Sequence, residues 1–204
     1  MSISFVQQCK KLYAADFAVF HNGAAIGTLS MEGRLGSMEG EWSGTVMGRR
    51  ISMKRCSGVP GFRPYEISVD GRVAGNVSQI EVKTGLFSRH QYHQLQLEGC
   101  GYQLYAVGLG KRGGACSLYC DGRQLAEINR DPTVYNELYR YEIFAVDTDS
   151  AFVSILLCCY MYMLGCYRPG EVAVSSVRTH VTVTTNKALL AKYDPNFKAM
   201  NKTL

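Results

Sequence analysis

The 18 residues SAFVSILLCCYMYMLGCY, from Ser150 to Tyr167, carry no charge, and no other stretch restricts the fold so strongly. As a helix they would be about 27 Å long, at the short end of what crosses a bilayer. Apolar side chains occupy every face, with Ser154 and Gly165 as the interruptions, so no side is prepared for water. Such a helix must be enclosed either by lipid or by other protein. Its ends are marked: Asp149 or Ser150 offers an N-cap with carboxylates at the positive end of the helix dipole, and Arg168, Pro169 and Gly170 supply a stop.

The preceding sequence favours enclosure by protein. FHNGAAIGTLSM, SVDGRVAGNVSQ and YCDGRQLAEINR each set Asn-Gly or Asp-Gly between short strand-like runs, the signature of a two-residue hairpin turn with positive φ at both positions. The turns begin at Asn22, Asp70 and Asp121, so they are 48 and 51 residues apart, room for about four strands per interval. Between turns the period is two: Tyr65, Ile67 and Val69 alternate with Glu66, Ser68 and Asp70, and His93, Leu95 and Leu97 alternate with Gln94, Gln96 and Glu98. One face is buried and the other wet, as in antiparallel sheet. Strand-like sequence also runs into the helix (YRYEIFAVD) and out of it (RTHVTVTT).

A dozen such strands can wrap a helix that is apolar all round, and closure removes exposed sheet edges. The expected fold is therefore mainly β, a closed antiparallel barrel of about twelve strands around a central apolar helix. It forms a single domain over 1–204, with barrel strands in 1–149, the central helix in 150–167 and a C-terminal extension in 168–204. A bilayer-spanning alternative would place the basic tail inside and require some 150 residues of β structure to be exported without an apolar leader. No stable transmembrane insertion is expected.

Charge and cysteine usage bound the partners. Against 17 acidic residues stand 22 Lys and Arg, a net +5, which is far from the dense basic patches of a nucleic-acid binder, so no nucleic-acid partner is expected. The segment 121–149 is acidic and the extension basic. Eight cysteines with no apolar leader fit a reducing cytoplasm better than a disulfide framework. Cys116 and Cys120 on one strand face would stand about 13 Å apart, too far for one metal. Neighbouring Cys158 and Cys159 diverge on a helix.

Candidate chemistry is sparse. GLGKRG at 108–113 spells G-x-G-x-x-G, but a strand follows it where a dinucleotide site needs a helix, so it is expected to be a glycine-rich hairpin loop. His90 and His93 in RHQYH point to opposite faces of a strand, and Ser43 in EGEWSGTV lacks the spacing of a nucleophile elbow. These readings assign no catalytic residue, no metal and no cofactor. The best binding candidate is GRRISMKRC: with Ile51 and Met53 inward, Arg50 and Lys54 project outward and could join Lys111 and Arg112 in holding a phosphate or sulfate.

Asp121-Gly122-Arg123 continuing as QLAEINRD, the strand YEIFAVD at 141–147, an Asp-containing junction and the apolar helix from Ala151 together resemble the tubby C-terminal-like superfamily, which comprises tubby proteins, LURP-one-related proteins and phospholipid scramblases. The resemblance is one of pattern and covers roughly residues 17–167. It implies a twelve-stranded barrel around a central helix, and a non-enzymatic binding or scaffold module for anionic lipid headgroups or other phosphate-bearing ligands, cytoplasmic with peripheral membrane contact. A scramblase-like protein with the helix inserted in the bilayer is the alternative it raises. The phosphoinositide-binding residues of tubby proteins have no match here, the acidic segment of scramblases is echoed at most by Asp147 and Asp149, and the 37 residues after the helix have no counterpart.

Overall fold

Alternate strand junctions fix the frame. The computed structural model describes residues 1–33, 39–83, 89–111, 113–166, 175–184 and 186–201. Eleven strands follow one another: β1 (Ser2–Lys10), β2 (Ala14–His21), β3 (Ala24–Gly33), β4 (Gly40–Val46), β5 (Arg49–Arg55), β6 (Phe62–Val69), β7 (Arg72–Lys83), β8 (Arg89–Leu97), β9 (Cys100–Gly110), β10 (Gly114–Cys120) and β11 (Arg123–Arg130). A short β12 (Thr133–Tyr135) and then β13 (Arg140–Ala145) precede the helix. Each strand from β1 to β11 pairs antiparallel with the next, β11 pairs with β13, and β13 returns to β1, closing a ring of 12 strands.

Five tight turns, Asn22-Gly23, Met47-Gly48, Asp70-Gly71, Glu98-Gly99 and Asp121-Gly122, have positive φ at both residues. They join β2–β3, β4–β5, β6–β7, β8–β9 and β10–β11, so all lie at one end of the barrel. The turns at 22, 70 and 121 are four strands apart, as their spacing implies. Met47-Gly48 and Glu98-Gly99 lie between them and lack the Asn or Asp that tolerates positive φ most readily. Neither carries the Asn-Gly or Asp-Gly signature.

The helix α1 (Thr148–Gly165) starts two residues before Ser150, and its cap is Asp147 rather than Asp149 or Ser150. Asp147, in extended conformation, accepts a 2.7 Å hydrogen bond from the Ser150 amide, while Asp149 falls in the first turn. The stop expected at Arg168, Pro169 and Gly170 lies outside the described residues. Because β13 runs toward the turn end, α1 enters there and passes through the barrel to the opposite end. Ile155, Leu156, Leu157, Cys158 and Cys159 are fully buried.

Inward residues from the whole ring meet the helix. Phe5 and Phe17 stack at 4.6 Å, and Tyr162 of α1 meets Phe17 and Trp42 edge-on at 5.0 and 5.8 Å. Several polar atoms brought inside are paired: Ser154 donates to the Ser150 carbonyl at 2.7 Å, the Tyr160 hydroxyl to the Phe62 carbonyl at 2.8 Å, and Gln7 Nε2 to the Tyr162 hydroxyl at 3.2 Å, whereas Trp42 Nε1 has no partner among the described residues. At the turn end Arg49 lies 4.4 Å over the Phe152 ring and pairs with Glu98, closing the mouth beside the helix start.

His93 faces inward on β8, edge-on to Tyr160 at 5.4 Å, and its Nδ1 has no partner among the described residues. Burial lowers its pKa from 6.5 to about 4. Between those values the unfolded chain takes a proton that the folded one resists, so stability is full above pH 6.5 and falls as pH drops toward 4, by on the order of 3 kcal/mol. Urea midpoints measured from pH 7 to 4.5 are expected to fall in the wild type and to fall much less in His93→Leu.

The extension folds back onto the barrel. β14 (Val177–Thr179) pairs with β12, and β15 (Thr182–Val183) pairs with Leu109 and Gly110 of β9. In α2 (Lys187–Lys192), Lys192 stands 4.2 Å over the Tyr105 ring and its carbonyl accepts from the Tyr119 hydroxyl. In α3 (Phe197–Asn201), Lys198 lies 4.7 Å over Phe144 and 3.7 Å from Glu142, and Arg178 pairs with Glu137 at 3.0 Å. The charge reversal seen in the sequence thus has a structural counterpart: the basic extension lies against the acidic 121–149 segment.

Candidate functional site

On β5 the buried Ile51 and Met53 face the core, which turns Arg50, Ser52 and Lys54 outward as the alternation predicts. The cross-strand register sets Thr45 opposite Arg50, and Ser43 and Ser68 on either side of Ser52. These four hydroxyl residues and Arg50 line an outer-face hollow of about 340 Å³. Its floor depends on Gly44, at φ 151°: a Cβ there would come within 2.2 Å of the Thr28 carbonyl, so glycine alone lets β3 and β4 approach.

The cations expected together separate in the fold. Arg50 is exposed; its backbone amide donates to Asp70 Oδ1 at 2.8 Å, while its guanidinium pairs with no carboxylate among the described residues. Lys54 is partly neutralised by Glu66 at 3.6 Å. Lys111 lies in the β9–β10 turn, at the end opposite the tight turns and four strand positions from β5, about 19 Å around the wall. Arg112 lies outside the described residues. The alternation within one strand was readable, but the barrel closure that sets β5 and β9 apart was not part of that local signal. What remains is one guanidinium beside a shallow hollow whose lining is mostly apolar, with hydroxyl residues at Ser43, Thr45, Ser52 and Ser68 that can add donors for an anion.

Two further groups escaped the sequence reading. Glu127 faces outward from β11 yet is 1% exposed, because the extension covers it. Asn129 Nδ2 donates to its Oε1 at 2.9 Å, its Oε2 has no partner among the described residues, and burial raises its pKa. It lines a polar cleft of about 510 Å³ together with Arg140, Glu142 and Lys198. Arg130, two positions on from the inward Ile128, points toward the barrel interior, with Nη1 4.0 Å from Cys166 Sγ. The alternation of Ala126 and Ile128 contained the signal for Arg130, whereas nothing local marks Glu127 as covered.

No family model, curated protein or solved structure matches the chain.

Proposed function

We propose that the protein is a non-enzymatic binding module of tubby-like architecture, cytoplasmic with peripheral membrane contact, whose Arg50 hollow recognises a phosphate group. The observation that supports this most is the exposed Arg50 guanidinium, without a carboxylate partner among the described residues, above the hydroxyls of Ser43, Thr45, Ser52 and Ser68. Phosphate presents acceptor oxygens that a guanidinium fork and hydroxyl donors satisfy together. The burial of α1 inside the ring supports recognition at the surface over insertion of the helix, which would require the barrel to open.

Co-sedimentation with phosphatidylserine and phosphatidylcholine vesicles, at low and high salt and with inorganic phosphate as competitor, tests this reading. The expected result is salt-sensitive binding to the anionic vesicles alone, weakened about tenfold by Arg50→Ala, the scale of one charge-assisted hydrogen bond set. Lys54→Ala, already paired with Glu66, is expected to change it less than threefold. Binding of inorganic phosphate in a direct calorimetric titration, without vesicle binding, would identify a soluble phosphorylated ligand. Equal behaviour of wild type and Arg50→Ala toward both probes contradicts the assignment.

A further inference from the structure

The end of the barrel opposite the tight turns is built differently from the rest of the wall. β8 accompanies β9 only from Cys100 to Leu104, and beyond that point the edge of β9 is met by the extension: the Gly108 amide donates to Thr184 Oγ1 at 2.8 Å and its carbonyl accepts from the Thr184 amide at 3.1 Å. The seam between β8 and β9 is therefore closed by a short borrowed segment. Ala106 is in register with the inward, fully buried Leu104, yet it is solvent-exposed. The barrel interior is open to solvent at that position.

Behind the opening is a cavity of about 240 Å³ between the wall and the last turns of α1. Small residues create it: Ala106, Gly108 and Gly114 share the phase of the inward Leu104 and Cys116 but carry little or no side chain. Its lining is mostly apolar, including Ile128 and Met161, with Cys116 Sγ 3.8 Å from Met161 Sδ. The thiols are not poised as metal ligands or nucleophiles, since burial pushes Cys116 up to about 12 and raises Cys166, keeping both protonated and wall-like at neutral pH. One charge faces this lining: Arg130 lies between the cavity and the polar cleft of Glu127, Asp131 and Glu142, and it forms no ion pair within 4.0 Å among the described residues.

An apolar cavity with one convergent cation is the arrangement that holds an amphiphile by its tail and its head. The volume is below the range of drug-sized pockets, which limits the tail to a short chain. We propose that this cavity binds a short alkyl chain carrying a single anionic head, with the tail among Ala106, Ile128 and Met161 and the head on Arg130. The site is independent of the Arg50 hollow: it lies inside the wall, beside strands a third of the way around the ring.

The test is titration of the full chain, labelled with ¹³C at methionine methyls, with octanoate, octyl phosphate and octanol. The Met161 methyl is expected to shift saturably with octanoate, while Met31 and Met53, buried against other strands, stay in place and report an intact fold. Arg130→Gln is expected to weaken octanoate at least tenfold and leave octanol unchanged, and Ala106→Leu to weaken both at least tenfold. Arg50→Ala should change neither. Octyl phosphate binding more tightly than octanoate would assign the head as phosphate, and the reverse as carboxylate. An unshifted Met161 methyl, or equal octanoate affinity in wild type, Arg130→Gln and Ala106→Leu, overturns the proposal.

Discussion

Leu156→Asp is expected to abolish folding of the entire barrel. Leu156 is fully buried at the middle of α1, where losing a leucine side chain costs about 2–5 kcal/mol. A carboxylate held in its place adds a desolvation penalty of several kcal/mol, with no cation in the helix interior to offset it. Together these fall within the roughly 5–15 kcal/mol by which a domain of this kind is stable, enough to unfold one of ordinary stability. The measurement is near-UV circular dichroism of the soluble fraction, which should lose the aromatic signal of the Phe5, Phe17, Trp42 and Tyr162 cluster. Leu190→Asp is the matched control: Leu190 lies on α2 and is 39% exposed, so the change there should leave the spectrum and midpoint nearly unaltered. A helix that resided in lipid, with the barrel folding independently, would instead let Leu156→Asp keep the barrel's aromatic spectrum.

The contrast between these two leucines also shows which features of the chain are legible in one dimension. The central helix and strand alternation are strong local signals: an apolar run without a polar stripe, and side chains that change face at each residue. Asn22-Gly23, Asp70-Gly71 and Asp121-Gly122 announced three of the five turns, since Asn and Asp accept positive φ more easily than Met47 or Glu98. Ring closure was inferred from the need to cover the helix, and the β1–β13 and β9–β10 pairings meet that need.

The candidate site was legible only in part. Within β5, alternation alone orients Arg50 and Lys54. Whether Lys111 joins them depends on how many strands intervene around the wall, and whether Lys54 is available depends on the cross-strand position of Glu66. Both are properties of pairing, not of the segment. Likewise, nothing within β11 marks Glu127 as covered, and it is the return of the extension over β11 and β13 that buries it. The borrowed contact at Gly108 is more distant still in sequence, yet it determines the opening beside Ala106.

The two proposed sites each set one arginine against a mostly apolar lining, one on the outer face and one in the interior. The Arg50 hollow uses strands whose inward side chains are fixed against α1, so its donors are held on a rigid support. The Arg130 cavity instead lies where the ring is interrupted and completed by β15. Ligand entry there would involve only the short β9–β15 contact, leaving the remaining strand pairs intact.

All of this rests on α1 being sheltered by the strands, and its own thiols measure that shelter. Cys158 and Cys159 are fully buried on the helix, while Cys100 is exposed at a turn. Alkylation with N-ethylmaleimide, mapped by peptide mass spectrometry with and without vesicles, should modify Cys100 rapidly. Cys158 and Cys159 should react only through unfolding, slower by on the order of a thousandfold or more, and vesicles should not change that ratio. Modification of Cys158 and Cys159 in the folded protein at a rate near that of Cys100, or on addition of vesicles, would contradict a helix enclosed by its own barrel.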